Sequence, residues 1–154
     1  MMFLTSSLSL RAVRCLLLAV LVSFAVTSVA TAENHQDAVV AEAITVETPS
    51  GLVYEELVPG TGQAPTIDDV VRAHYHGTLA DGSVFDSSVE RGQPLELPLR
   101  RVIPCWQEGI PMMKEGGKAR LTCPPQIAYG NRAVGSIPAG STLTFEVELI
   151  EVLP

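Results

Sequence analysis

The sequence is short of positive charge, of aromatic side chains and of long apolar runs, and each shortage narrows what it can do. Ten Lys and Arg face seventeen Asp and Glu, for a net charge of −7. Such a chain lacks the positive field that phosphate backbones demand, so nucleic acid is not an expected partner. Eleven Pro and twelve Gly are spread through only 154 residues, which breaks helices too often for a helical bundle and favours strands joined by turns. There is no G-x-S-x-G elbow, no phosphate-cradling glycine loop and no cysteine in an activating context,. The common nucleophilic and phosphoryl-transfer chemistries are therefore missing.

The one long apolar run, residues 16–29, falls short of the roughly 20 residues that cross a bilayer,. Arg11 and Arg14 precede it and Ala30-Thr31-Ala32 follows it, the layout of a secretory signal peptide, and cleavage is expected after Ala32,. A retained membrane anchor is the alternative. Removal of residues 1–32 takes away two Arg, no acid and Cys15, leaving 154 − 32 = 122 residues with a charge of 8 − 17 = −9. That length suits one domain with a real core. Export implies an oxidising compartment, in which the remaining thiols, Cys105 and Cys123, are candidates for pairing.

Residues 33–50 are polar and acidic and end in Pro49-Ser50-Gly51, which reads as a flexible leader,. A short amphipathic helix over residues 38–44 is conceivable but marginal in isolation. The remainder, residues 51–154, reads as one domain. Residues 52–58 are strand-like and close at Pro59-Gly60-Thr61-Gly62. In residues 71–77 alternation places Val71, Ala73 and Tyr75 on one face and Arg72, His74 and His76 on the other. Asp81-Gly82 supplies a positive-φ turn for a hairpin, and Leu95, Leu97 and Leu99 alternate as another short strand. Pro104 suits the first position of a short helix that buries Trp106, Gly109, Ile110 and Met113, with Pro111 distorting its end. Residues 118–123 form a strand and residues 124–140 a loop rich in breakers. Residues 142–152 give the clearest strand, with Leu143, Phe145, Val147 and Leu149 inward. A half-solvated antiparallel sheet over one short helix follows, an α+β fold.

Five segments, in order, carry a resemblance. They are His74-Tyr75-His76-Gly77, then Asp81-Gly82-x-x-Phe85-Asp86-Ser87-Ser88, then Val102-Ile103-Pro104-Cys105-Trp106-x-Glu108-Gly109, then Ala128-Tyr129-Gly130, and lastly Thr142-Leu143-x-Phe145-x-Val147-Glu148-Leu149. Together they resemble the FKBP-type peptidyl-prolyl cis-trans isomerases over about two-thirds of the chain. The opening Ser50-Gly51-Leu52-x-Tyr54 looks like the exported bacterial branch. The resemblance implies a curved five-stranded antiparallel sheet wrapped around one short helix, with a proline pocket between them. It places Trp106 at the pocket floor, with Tyr75, Phe85, Val102, Ile103, Tyr129 and Phe145 lining it, Leu95 and Leu97 on a wall, and Ile137 reaching in from the long loop. Asp86 is expected at the rim, bonded to Tyr75 or a neighbour, while the Ile103 N–H and the Tyr129 hydroxyl hold substrate carbonyls.

The chemistry asked of such a pocket involves no covalent step and no cofactor. Rotation about an X-Pro bond meets a barrier of roughly 18–20 kcal/mol. In the twisted transition state the amide loses resonance and its carbonyl becomes less polar, so a dry apolar site favours it over the planar form. No proton moves, which makes Asp86 an orienting group. The implied substrates are proline-containing unfolded or nascent exported polypeptides, with macrolide inhibitors as possible ligands, a periplasmic location, and a monomer, since there is no room for the helical dimerisation domain of larger members. A module that binds proline segments, or a holdase chaperone, is the alternative function.

Three departures stand out against the family. Leu95 occupies the place of an aromatic wall, Cys105 replaces the usual glycine before the tryptophan, and Pro111 interrupts the helix. Cys105 and Cys123 have two readings: a disulfide, or a tolerated glycine substitute and a small core residue in register with Leu121. His74 and His76 share a strand face, but no third metal ligand is visible and the usual reading is solvent-facing polar residues.

Overall fold

A computed structural model of the protein describes residues 44–153. The expected signal peptide, its expected cleavage site and most of the expected leader lie outside the described residues. The elements are β1 (Thr45–Glu47), β2 (Val53–Val58), β3 (Val70–Leu79), β4 (Val84–Ser87), β5 (Leu95–Pro98), α1 (Pro104–Gly109), β6 (Lys118–Cys123) and β7 (Leu143–Leu153). They form one antiparallel sheet in the order β1-β2-β6-β7-β3-β4, with β5 also paired to β3.

The sheet thus has seven strands where five were expected. Within the stretch read from sequence as a leader, Thr45–Glu47 pairs with β2 as an edge strand, Val46 lying opposite Tyr54. Its three residues are exposed, so backbone pairing rather than burial holds it. The outer edge is divided between β5, paired with the first half of β3, and β4, paired with the second half.

Burial follows the alternation in the sequence. In β3 Val71, Ala73, Tyr75 and Gly77 are buried while Arg72, His74 and His76 are not. In β7 Leu143, Phe145, Val147 and Leu149 turn inward. The outward residues form charged rows: Arg120 bonds Glu55 at 2.6 Å and Glu146 at 2.9 Å, and Arg72 bonds Glu151 at 2.6 Å and Glu96 at 2.8 Å. His74 and His76 each turn Nδ1 to a serine hydroxyl, Ser88 at 3.1 Å and Ser87 at 3.0 Å. Bulges between Glu56 and Val58, Arg72 and Ala73, and Gly77 and Thr78 bend the strands and curl the sheet,.

The concave face of that curl receives α1. Pro104 opens the helix at its first position, and a 3₁₀ turn over Ile110–Met112 continues it past Pro111,. Cys105, Trp106, Gly109 and Ile110 are buried against the sheet. Gly109 permits the close approach, since a Cβ there would meet a Leu121 methyl at 2.8 Å. Cys105 at the start of α1 is disulfide-bonded to Cys123 at the end of β6, with Cα atoms 5.8 Å apart. The two residues are 18 apart in sequence, and closing such a loop stabilises the fold by about 3 kcal/mol in the chain-entropy model.

Candidate active site

Between α1 and the concave sheet lies a cleft of about 280 Å³, lined by Tyr75, Phe85, Asp86, Leu95, Leu97, Arg101, Val102, Ile103, Trp106, Tyr129 and Phe145. Every aromatic residue from position 44 onward except Tyr54 belongs to it. A chain this poor in aromatics has concentrated them in one place. Trp106 is only 5% exposed and meets two rings edge to face: Phe145 at a centroid distance of 5.1 Å and Tyr75 at 5.3 Å. Phe85 stands edge-on to Phe145 at 5.5 Å. Such T-shaped contacts fix ring orientation as well as burying area. The indole N–H of Trp106 is buried and has no hydrogen-bond partner among the described residues.

Each side chain is placed by its element. Inward alternation on β3 and β7 delivers Tyr75 and Phe145. The hairpin at Asp81-Gly82, where Gly82 has φ 83°, returns β4 so that Phe85 lies over β3. Leu95 and Leu97 alternate inward along β5, and Glu96 between them faces the opposite side. Tyr129 comes from the loop after a 3₁₀ turn at Pro125–Ile127.

The segment before α1 is held from below. The Gln107 side-chain amide donates to the Val102 carbonyl at 2.8 Å and to the Arg100 carbonyl at 3.3 Å. The Ile103 carbonyl accepts from the N–H groups of Trp106 and Gln107 at 2.9 and 3.1 Å. Among the described residues the Ile103 N–H has no acceptor and the Tyr129 hydroxyl has no hydrogen-bond partner.

At the rim the Tyr75 hydroxyl donates to the Asp86 carboxylate, and Arg91 donates to the same carboxylate from one guanidinium nitrogen and to the Tyr75 oxygen at 3.1 Å from the other. The Arg91 guanidinium also lies 5.8 Å from the Tyr75 ring centroid,. Burial pushes the Asp86 pKa up, but the hydrogen bonds from Tyr75 and Arg91 and the Arg91 charge outweigh it and hold the group below the usual carboxylate range,. Burial, seconded by the bond to Asp86, raises the Tyr75 phenol above its ordinary value. At neutral pH the rim therefore carries an ionised Asp86 and a protonated Tyr75.

Of the residues singled out from sequence, the cleft gathers all but one. Ile137 does not line it. A reciprocal backbone pair between Val134 and Ile137, at 3.0 and 2.9 Å, folds Ile137 into a neighbouring recess of about 220 Å³ that shares Phe85, Asp86 and Tyr129 with the cleft. Two arginines were missed. Arg91 follows Asp86 by five residues across a turn, a spacing with no periodic signal, although a half-buried carboxylate called for a nearby cation. Arg101 stands beside Arg100 in a pair whose sequence does not say which one faces the cleft.

The chain is 50% identical over 110 residues to the FKBP-type peptidyl-prolyl cis-trans isomerase FkpA of Escherichia coli K12, a match covering 71% of this chain and 41% of that protein. It is 52% identical over 107 residues to the FKBP-type 22 kDa peptidyl-prolyl cis-trans isomerase of the same organism, covering 69% of this chain and 52% of that one. The chain thus spans about two-fifths to one-half of the length of these relatives. Among solved structures, FkpA from Escherichia coli superposes with a TM-score of 0.69 at 47% identity, covering 71% of this chain and 52% of that chain. AtFKBP13 superposes with a TM-score of 0.66 at 38% identity, covering 72% of this chain and 100% of that chain. A model of the FKBP-type peptidyl-prolyl cis-trans isomerases matches residues 61–150, and with a fold that superposes on those structures, the chain belongs to that family.

Proposed function

We propose that the protein is a peptidyl-prolyl cis-trans isomerase that accelerates X-Pro rotation in exported polypeptides during their folding. The observation that carries this reading is the cleft itself: an aromatic basin of about 280 Å³ with one anchored carboxylate at its rim and no nucleophile among its lining residues. In this reading the proline ring rests on Trp106 between Tyr75, Phe85 and Phe145, while Leu95, Leu97 and Val102 exclude water. The unpaired Ile103 N–H and the Tyr129 hydroxyl hold the carbonyls on either side of the rotating bond. An apolar enclosure disfavours the planar, more polar amide relative to the twisted one and lowers the barrier without covalent chemistry. Asp86, fixed by Arg91, orients Tyr75.

The alternative, a module that binds proline segments without turnover, uses the same cleft. A chymotrypsin-coupled assay on an Ala-Leu-Pro-Phe peptide separates the two: the isomerase accelerates the slow cis phase in proportion to protein concentration, and an unchanged slow phase at micromolar protein contradicts it. Export to a periplasm is proposed from the apolar run at residues 16–29 and its flanks,. The disulfide between Cys105 and Cys123 is consistent with an oxidising compartment,. Edman sequencing of exported material is expected to begin at Glu33, and a start at Met1 or within the apolar run contradicts cleavage after Ala32.

A further inference from the structure

Two adjacent arginines follow β5, and they are used differently. Arg100 is ion-paired to Asp68, which also accepts its Nε–H, and does not line the cleft. Arg101 lines the cleft, is exposed, and has no ion pair or hydrogen bond to its side chain among the described residues. The cleft's other charged residue, Asp86, is already bonded to Tyr75 and Arg91. Glu96, between the two cleft leucines, is turned to the opposite face and paired with Arg72 at 2.8 Å. The uncompensated charge at the cleft is therefore one guanidinium, on a chain whose overall charge is −7.

From this we propose that Arg101 is a specificity-determining residue that favours substrates with an acidic side chain next to the proline, an inference that rests on the isomerase reading above. Arg101 precedes Ile103, the proposed carbonyl anchor, by two residues, a backbone span of at most about 7 Å. The side chain of a residue flanking a bound proline lies within reach of an extended arginine at that distance. A guanidinium presents a planar fork that matches a carboxylate in two parallel hydrogen bonds. The acidic surface elsewhere repels anionic polypeptides, so the attraction operates only where the proline enters the cleft. As an exposed pair, the contact is worth about a two- to fivefold preference at low salt.

The test is protease-free exchange NMR on end-capped Ala-Glu-Pro-Leu, Ala-Leu-Pro-Glu and the peptides with Gln or Lys in place of each Glu, using the full protein. At least one Glu peptide is expected to be isomerised about two- to fivefold more efficiently than its Gln counterpart, and its Lys counterpart less efficiently, with the difference erased in concentrated salt. Arg101→Gln should abolish the Glu-to-Gln ratio, Arg101→Lys should keep part of it, Arg101→Glu should invert it toward Lys, and Arg100→Gln should leave it unchanged. Equal efficiencies on Glu, Gln and Lys peptides, or a Glu preference that survives Arg101→Gln, overturn the proposal while leaving the isomerase reading intact. Acceleration of none of the six peptides overturns both.

Discussion

The ring of Phe85 lies over Gly77 so closely that a Cβ on Gly77 would come within 2.6 Å of its Cζ. The hairpin thus brings a cleft wall against the one position of β3 that has no side chain. Gly77→Ala is expected to tilt the Phe85 ring and lower kcat/KM, at a stability cost of about 1–3 kcal/mol for overpacking. Denaturant unfolding and the coupled peptide assay check this together; wild-type activity in the variant would show that the Phe85 position does not matter to turnover.

Phe85 and Asp86 stand at the mouth of the cleft, partly exposed, whereas Trp106 is buried at the junction of helix and sheet. Phe85→Ala and Asp86→Ala should each reduce kcat/KM with the fold retained. Trp106→Ala removes a large core side chain at a cost of about 3–5 kcal/mol, so much of its lost activity is lost folding. Equal shifts in Tm for all three variants would contradict this division.

The disulfide ties the start of α1, one residue before Trp106, to β6. Thiol titration of the denatured, unreduced protein should find neither Cys105 nor Cys123 free. Replacing both by Ala should cost about 3 kcal/mol from the lost cross-link, with a further loss from the two buried side chains. Free thiols at both Cys105 and Cys123 would exclude the bond.

Asp86 carries a pH dependence of definite sign. Its folded pKa lies below its unfolded value, so its stabilising contribution is complete above the unfolded carboxylate pKa of about 3.9 and is lost as pH falls through the folded value. Between pH 5 and 7 stability should not respond to this group. In acid, Asp86→Asn should flatten the fall in stability relative to wild type, as read by urea unfolding over a pH series. Because Asp86 is 41% exposed at its side chain, solvent screening keeps the effect small. An identical acid limb in the variant would show that the carboxylate is not held by Tyr75 and Arg91.

How much of this was legible in sequence depended on periodicity. The faces of β3 and β7 could be read because one side is buried and the other solvated, which writes alternation into the residues. The hairpin was legible from Asp81-Gly82 and the helix start from Pro104. The edge strand Thr45–Glu47 was hidden in an acidic stretch, since an exposed strand held by pairing leaves no hydrophobic pattern. Ile137 lines the neighbouring recess because the Val134–Ile137 turn obeys local backbone geometry within a loop that has no repeat, and the sequence carries no signal for it. The cleft aromatics were recognisable from ordered motifs, but the electrostatic partners Arg91 and Arg101 depend on which way a turn sends a long side chain, and spacing alone is silent on that.

The central claim is turnover by the aromatic cleft, as opposed to binding alone, and stoichiometry decides between them. The measurement is the slow, proline-limited refolding phase of an unfolded client protein, followed with this protein present at one part in about a hundred. Acceleration at that ratio, diminished in Phe85→Ala and Asp86→Ala, is the predicted result. Acceleration that appears only at equimolar protein, or a slow phase that lengthens as client is sequestered, would contradict the account.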